Sequence, residues 1–391
     1  MTAAAAPDAR GFVSAILRGE TGRWPWPDGD EPASRAFRGL ALRQHIEALL
    51  AHHLHETGWS GPWPSLVRQR LEGRLRLHTA REAVIQRELV AVFEALGRAA
   101  VPAILMKGSA LAYTVYPQPG LRRRGDTDLV IRRADLERVA SVLEAAGYQR
   151  ENVLHGEHVS QQAMFRKIDR HGVKHEFDVH WKISNRPFFA DVLTWDELEA
   201  AAVPVPALGS HARAMGLAHA LTMACVHPVA HHGDSPTDRF LWLYDVHLLV
   251  SAMTASEVAH WADLVRARRI RAICARALGL ARAQFGTHVP ASVDDVLNTT
   301  DVEPSAWYLS AEPWRGDIRL ADLRTSQGWR AKAKLVREVV LPRPAYIRKE
   351  YGVSHPLLVG YYYLFRVARG CWRLWQRFRG APDPPVGSLV R

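Results

Sequence analysis

Two stretches decide the fold of this chain: Leu105-Met106-Lys107-Gly108-Ser109 and Gly125-Asp126-Thr127-Asp128-Leu129-Val130-Ile131. The first predicts an apolar strand that ends in a Gly-Ser pair. The second predicts an apolar strand that begins with two carboxylates. Because side chains alternate between the faces of a strand, Asp126 and Asp128 should point to the same side. Two adjacent carboxylates repel unless a cation lies between them, so this pattern predicts a site for a hard divalent cation such as Mg2+.

Length and charge set broad limits on the kind of protein. The 391 residues are enough for two or three domains. A hydrophobic fraction of 48% allows a sizeable core. The net charge of +11 favours polyanionic partners such as nucleotides, nucleic acid or an anionic membrane surface. Arginine-rich codon usage is a simpler explanation of the same charge, so the charge alone assigns no partner.

Cysteine usage and hydropathy predict a cytoplasmic protein. Cys225, Cys274 and Cys371 are far apart in sequence, which favours neither a disulfide framework nor a cysteine metal site. Residues 1–18 contain no apolar run typical of a signal peptide. No stretch of ~18 uncharged apolar residues predicts a helix that spans a membrane.

Hydrophobic periodicity divides the chain into three predicted regions: an N-terminal arm with helices (1–64), an α/β core (65–193) and a mostly helical C-terminal domain (194–391). Residues 1–35 are expected to form a loose arm with a short helix near 12–17. The remaining helices before residue 194 are predicted at 36–55, 66–96, 109–116 and 134–146, and the strands at 100–106, 126–131, 162–168 and 174–183. The later helices are predicted at 212–227, 238–253, 256–285, 327–340 and 356–378.

The last predicted strand offers a third carboxylate. A two-metal site for phosphoryl or nucleotidyl transfer needs about three carboxylates on one face. Glu176, Asp178 and His180 alternate onto one face of the 174–183 strand. Asp178 is the favoured ligand because apolar residues flank it, as expected at the centre of a sheet, and Glu176 is the reserve. For His180, a role as hydrogen-bond partner of Asp178 and a role as a packed strand histidine stay open.

The Gly-Ser pair is typical of an anion-binding turn. Gly108 lets a phosphate approach the backbone, and the helix that follows offers free N–H groups. The Ser109 hydroxyl can add a hydrogen bond, and Lys107 is as well explained by a phosphate contact as by a structural role. For the Arg122-Arg123-Arg124 run, a solvated loop is favoured over a phosphate clamp.

These motifs together resemble the nucleotidyltransferase superfamily of DNA polymerase β. The resemblance rests on the Lys-Gly-Ser start, the Arg-Gly-Asp-Thr-Asp-Leu-Val-Ile strand and the Phe-Asp-Val-His-Trp strand. Within the superfamily, the chain is most similar to an uncharacterised bacterial nucleotidyltransferase family. The resemblance covers about residues 65–280 and extends more weakly to about 370.

The resemblance implies an α/β (α+β) fold, with a small mixed sheet of the nucleotidyltransferase type, N-terminal helices and a C-terminal helical domain. It implies that Asp126, Asp128 and Asp178 are catalytic and hold Mg2+ or Mn2+. It also implies that Gly108 and Ser109 hold the phosphates of a nucleoside triphosphate such as ATP, with Lys107 beside them.

The predicted function is metal-dependent transfer of a nucleoside monophosphate to a hydroxyl group. The acceptor is unknown and could be a small molecule, a peptide, a protein or RNA. A glycosyl transferase that uses a nucleotide sugar at the same Asp-x-Asp site is one alternative. A nucleotide-binding module without catalytic activity is another.

Two features of the C-terminal half have open roles. A metal site is not favoured at the histidines, because Pro228 interrupts their helix and no metalloprotease motif accompanies them; they are His219, His227, His231, His232 and His247. Packing is favoured for Trp242 and Leu243, while Asp245 stays open. The tail at 361–379 has an aromatic face and a basic stripe, for which packing on its own domain is favoured over a membrane or nucleic-acid surface.

Overall fold

The structure, a computed structural model, describes residues 8–27, 29–151, 161–230, 239–298, 303–309, 315–326 and 328–378. Its fold is the predicted mixed α/β class, with helices before and after a mixed sheet. His231 and His232, two of the histidines at which a metal site was not favoured, lie outside the described residues.

A mixed sheet of seven strands organises the chain. In chain order the strands are Ile104–Met106 (β1), Thr127–Val130 (β2), Gln149–Arg150 (β3), Gln162–Ile168 (β4), Lys174–His180 (β5), Val203–Pro204 (β6) and Arg213–Ala214 (β7). Their spatial order is β3-β4-β5-β2-β1-β7-β6. β2 runs parallel to β5 and antiparallel to β1, while β4 and β5 form the predicted hairpin.

Seventeen α-helices lie in the described part of the chain. The first eight are Ala9–Leu17 (α1), Glu31–Gln44 (α2), Glu47–Thr57 (α3), Ser65–Arg98 (α4), Lys107–Thr114 (α5), Leu136–Ala145 (α6), Pro187–Ala190 (α7) and Trp195–Ala200 (α8). The later ones are Leu217–Ala230 (α9), Phe240–Ala252 (α10), Ala255–Ala267 (α11), Arg271–Phe285 (α12), Ala291–Leu297 (α13), Arg315–Thr325 (α14), Trp329–Val340 (α15), Pro344–Tyr351 (α16) and Pro356–Phe378 (α17).

Strand alternation separates two hydrophobic cores. Leu105, Leu129 and Phe177 point to one face, where they pack with apolar residues of α4 and α6. Met106 and Val130 point to the other face and join a larger core built mainly by helices. The central strands are therefore buried on both sides, as expected for strands sandwiched between helical layers.

Several predicted boundaries are wrong for identifiable reasons. The predicted helix 36–55 is two helices, because His45 adopts a left-handed backbone with φ 59°. The predicted helix 256–285 is also divided, since Arg269 has φ 57° between α11 and α12. The predicted helix 212–227 begins instead with strand β7, and the strand predicted at 100–106 spans only β1. Two-residue strands are too short to show any periodicity, which explains why β3, β6 and β7 were missed.

The described part of residues 1–35 is not the loose arm that its composition predicts. Phe12, Val13 and Ile16 of α1 are buried, and so is Trp24 beyond the helix. These side chains belong to the larger core. Their burial shows that an Ala-, Gly- and Pro-rich segment can still supply enough apolar anchors to pack firmly.

The described residues form two compact units. The first comprises residues 8–325 with the gaps given above and contains the whole sheet, and the second comprises residues 326–378. Strands β6 and β7 join the sheet from beyond residue 194, and the predicted domain boundaries stay a prediction. None of the described helices is both long and apolar enough to cross a membrane.

A buried ion pair ties the sheet to the helical layer. The Arg122 guanidinium donates two hydrogen bonds of 2.7 Å to the carboxylate of Asp245 on α10. The Tyr116 hydroxyl donates a third, at 2.8 Å. Arg122 and Asp245 are both buried, so the prediction of a solvated arginine loop is wrong at this position. Arg124 is likewise paired, with Glu82 of α4.

Replacing Asp245 with Asn should destabilise the protein by about 3 kcal/mol, because it leaves the buried Arg122 charge without a counterion. Asp294→Asn is the matched control, since Asp294 pairs with Arg282 at a partly exposed site and its loss should change stability by less than about 1 kcal/mol. Chemical denaturation of both variants measures the difference. Equal losses would contradict a special role for the buried pair.

Candidate active site

Strand register brings the candidate site together. In the parallel β2–β5 pair, Asp128 lies opposite Asp178 and Val130 lies opposite His180. The alternation of side chains puts Asp128, Asp178 and His180 on the sheet face that meets the helical layer. The three side chains are 5%, 9% and 2% exposed. Their candidate ligand atoms lie within 4.8 Å of one another.

Asp128 is the electrostatic centre of this group. Lys107 Nζ donates a 2.6 Å hydrogen bond to Asp128 Oδ1, and His180 Nε2 lies 3.0 Å from the same oxygen. Burial alone would raise the pKa of Asp128. The Lys107 ammonium and the His180 imidazole outweigh that effect and hold the pKa well below its ordinary value. Asp128 therefore stays ionised at neutral pH.

The pKa of Asp178 is shifted in the opposite direction. Burial, followed by the negative charges of Asp128 and Asp126, raises the pKa of Asp178 to about 7. Gln162 Nε2 donates a 2.8 Å hydrogen bond to Asp178 Oδ2, and Asn185 Nδ2 in turn donates to Gln162 Oε1 at 2.9 Å. This chain of amides fixes the orientation of the carboxylate.

The Gly-Ser turn lies beside the carboxylates. Lys107, the first residue of α5, has a left-handed backbone with φ 54°. This conformation is strained for any residue that carries a Cβ. A Cβ at Gly108 would lie 3.1 Å from Arg122 Nη1, so only glycine fits against the guanidinium without a shift. The Ser109 hydroxyl donates to the backbone oxygen of Asp126 at 3.2 Å, which ties the turn to the start of β2.

Asp126 does not lie within the strand that carries Asp128, although its sequence spacing predicts that it should. β2 begins at Thr127, so Asp126 precedes the strand, and its side chain is exposed. It borders the same cavity as Asp128 and Asp178, but His180 takes the third place in the described cluster. The predicted ligand role of Asp126 stays a prediction.

A cavity of about 450 Å3 opens above these groups. Lys107, Asp126, Asp128 and Asp178 line one part of it, and four basic side chains from distant parts of the chain line another: His45, Arg81, Arg123 and Arg239. A third part is apolar or aromatic, with Met223, Leu241 and Trp242. The arrangement suits an anionic ligand that also carries a flat apolar group.

The basic wall carries concentrated positive charge. Burial and then the charges of Arg123 and Arg239 lower the pKa of His45 to about 4, so this imidazole is neutral at pH 7. Burial and the neighbouring arginines Arg122 and Arg123 lower the pKa of Arg239. Cations that destabilise one another in this way favour binding of an anion between them.

Other predicted residues take structural or rim positions. Glu176, the reserve ligand, pairs with Arg166 and Lys174 outside the described cluster. His247 Nδ1 lies 3.0 Å from the Thr287 hydroxyl. His227 packs edge-on against Trp242, with ring centroids 5.0 Å apart, at the cavity wall.

Sequence reasoning missed several cavity residues. Gln162 could have been found, since the predicted hairpin turn at 169–172 fixes the register that places it opposite His180. His45, Arg81 and Arg239 had no such signal, because isolated basic residues on helices are usually solvated.

The donor set fits a divalent cation. Two carboxylates suit Mg2+ or Mn2+, and an imidazole nitrogen is a common ligand for transition metals. The carboxylates and the histidine come from adjacent strands whose backbone is fixed by the ladder. Such a preformed group can accept an ion without rearrangement of the sheet.

A family model described as uncharacterised nucleotidyltransferase matches residues 32–286. The chain belongs to this nucleotidyltransferase family. The match begins before the region that the sequence motifs had indicated, so it includes the α2–α3 junction and His45. No curated protein matches the chain.

The raised pKa of Asp178 predicts a pH-dependent stability in metal-free buffer. The folded state holds a proton on Asp178 up to about pH 7, whereas an unfolded aspartate loses it near pH ~4. The stability of the wild type should therefore fall as pH rises through this window, and Asp178→Asn should remove the fall. The melting temperature of Asp178→Asn, relative to that of the wild type, should rise by at least ~2 °C between pH 5 and 8.

Glu176→Gln is the matched control for this experiment. Although burial opposes it, pairing with Lys174 and Arg166 lowers the pKa of Glu176. Its contribution to stability is therefore present above the ordinary pKa and absent in acid. Relative to the wild type, the control variant should therefore be less stable by a constant amount between pH 5 and 8, and this deficit should shrink only in more acidic buffer. A pH-independent difference between Asp178→Asn and the wild type would contradict the assignment.

Proposed function

We propose that this nucleotidyltransferase moves a nucleoside monophosphate from a nucleoside triphosphate to a hydroxyl group of an acceptor, with Mg2+ or Mn2+. One observation carries the proposal. The ligand atoms of Asp128, Asp178 and His180 converge within 4.8 Å, and the two carboxylates line a cavity that Arg81, Arg123 and Arg239 also line. Metal ligands beside a polycationic wall are what a metal–triphosphate complex requires.

Phosphate binding would use the turn between β1 and α5. The backbone at Gly108 and the N-terminus of α5 offer N–H groups, and Lys107 adds an ammonium next to Asp128. Arg123 and Arg239 border the same cavity and would neutralise further phosphate charge. Trp242 at the apolar part of the wall would supply a stacking surface for the base.

The acceptor hydroxyl would give its proton to Asp178. A carboxylate with a pKa of about 7 can take a proton at neutral pH and release it afterwards. The hydrogen bond from Gln162 leaves one Asp178 oxygen available to the acceptor while the other is held. A bound divalent cation would polarise the phosphate and stabilise the charge that develops on it.

The Asp128→Asn variant should lose at least ~100-fold of pyrophosphate release, because it removes the ionised ligand at the centre of the cluster. It should also lose the thermal stabilisation that ATP, GTP, CTP or UTP confers together with Mg2+. Glu176→Gln, which changes a carboxylate on β5 near Asp178 in the strand but outside the cluster, should retain both. Asp126→Asn in the same assay tests whether Asp126 is a ligand.

Full activity of Asp128→Asn would contradict the proposal. Stabilisation by a nucleotide sugar, with none by plain triphosphates, would instead favour a glycosyl transferase. Triphosphate binding that is lost in Asp128→Asn, without pyrophosphate release in the presence of any acceptor class, would favour a nucleotide-binding module. The acceptor panel should contain a small-molecule alcohol, a Ser/Thr/Tyr peptide, a folded protein and RNA.

A further inference from the structure

Residues 326–378 hold most of the excess positive charge of the chain. Eleven Lys and Arg stand there against two Glu, a net charge of +9 out of +11 for the whole protein. The cations with described, exposed side chains are Arg330, Lys332, Lys334, Arg337, Arg343 and Arg348. Codon usage does not explain this distribution, since it would spread the charge along the chain.

The same segment exposes large apolar side chains. Twelve of the nineteen exposed large hydrophobic residues in the described chain lie within it. On α17, Leu357 is 78% exposed and Leu364 is 73% exposed. Together with Tyr361 and Trp372 they recur at helical spacing and form one stripe.

The stripe points away from the packed side of α17. On the opposite side, Val359 is buried and the Tyr363 hydroxyl donates to the backbone oxygen of Pro342. Arg366 donates to the backbone oxygen of Val339 at 3.4 Å. Arg366 thus faces α15, whereas the leucine and aromatic side chains of the stripe do not. This reverses the packing that the amphipathic pattern alone favours.

Helix α15 also has an exposed apolar stripe on one side and a buried residue on the other. Trp329 is 74% exposed, and Val336 and Val340 continue the apolar stripe at spacings of seven and four residues. Leu335, on the other side of the helix, is buried. Exposed lysines and arginines flank the apolar residues of this helix.

We propose that α15 and α17 form a docking surface for an anionic lipid bilayer. Leucine, tryptophan and tyrosine side chains would enter the boundary between head groups and acyl chains, where amphipathic aromatic rings are favoured. The flanking lysines and arginines would contact the acidic head groups, each adding a modest, salt-sensitive attraction. Reversible surface binding follows, because no described helix is long and apolar enough to span a bilayer.

Charge and side-chain type favour lipid over the other occupants. A second copy of the chain would bring two segments of net charge +9 together, and this repulsion opposes self-association. Nucleic acid would satisfy the cations and stack on Trp372, but it offers nothing apolar to cover Leu357 and Leu364. An anionic bilayer alone among these matches both the cations and the aliphatic side chains.

Flotation of the full-length protein with vesicles tests the proposal. Phosphatidylcholine vesicles that contain phosphatidylglycerol should carry the protein to the top of a gradient, and pure phosphatidylcholine should carry much less. Changing Leu357, Leu364 and Trp372 together to Ser should lower the partition coefficient at least ~10-fold. Charge reversal of Lys332, Lys334 and Arg337 should do the same, and high salt should weaken wild-type binding.

The matched control changes Leu42, Leu66 and Leu77 to Ser; these are exposed helix positions in the other compact unit, and vesicle binding should persist. Circular dichroism confirms that each variant is folded. Equal binding to neutral vesicles, no vesicle binding, displacement by RNA, or a concentration-dependent dimer lost in the Leu357/Leu364/Trp372 variant would each overturn the proposal. Stabilisation by triphosphates, measured in parallel, reports on the active site independently.

Discussion

The buried negative charge of Asp128 is the constraint on which the site depends. An ionised carboxylate removed from water costs several kcal/mol unless positive charge and hydrogen bonds surround it. Lys107, directly after β1, and His180, at the end of β5, both contact the same oxygen. β2 must therefore lie between β1 and β5, which is the order that the sheet has. The left-handed backbone at Lys107 is tolerated because this contact holds its side chain in place.

A difference in pKa distinguishes the two buried carboxylates of the site. Asp128 and Asp178 lie opposite each other in the ladder, yet their pKa values move in opposite directions. Lys107 and His180 contact Asp128 and lower its pKa, whereas burial and the negative charges of Asp128 and Asp126 raise the pKa of Asp178. The proposed division of roles, in which Asp128 holds a cation and Asp178 exchanges a proton, rests on this contrast.

The helical layer completes the cavity by joining residues that are far apart in sequence. The Arg122–Asp245 pair fixes the loop before β2 against α10, and thereby positions Arg123 next to His45. Neither contact follows from local patterns, since a run of three arginines usually predicts a solvated loop. The prediction failed because a buried aspartate more than a hundred residues later supplies the partner for Arg122.

The sequence by itself determined the central strands, the shared face of Asp178 and His180 within their strand, and the glycine turn, because all of these follow from the two-residue period and from local backbone sterics. It also indicated an amphipathic last helix. Only the tertiary structure decided that His180 joins the carboxylates, that Asp126 precedes the strand, that distant arginines line the cavity, and that the apolar face of α17 is exposed. These depend on which elements become neighbours, and that is set by long-range packing and charge pairing, which no local period records.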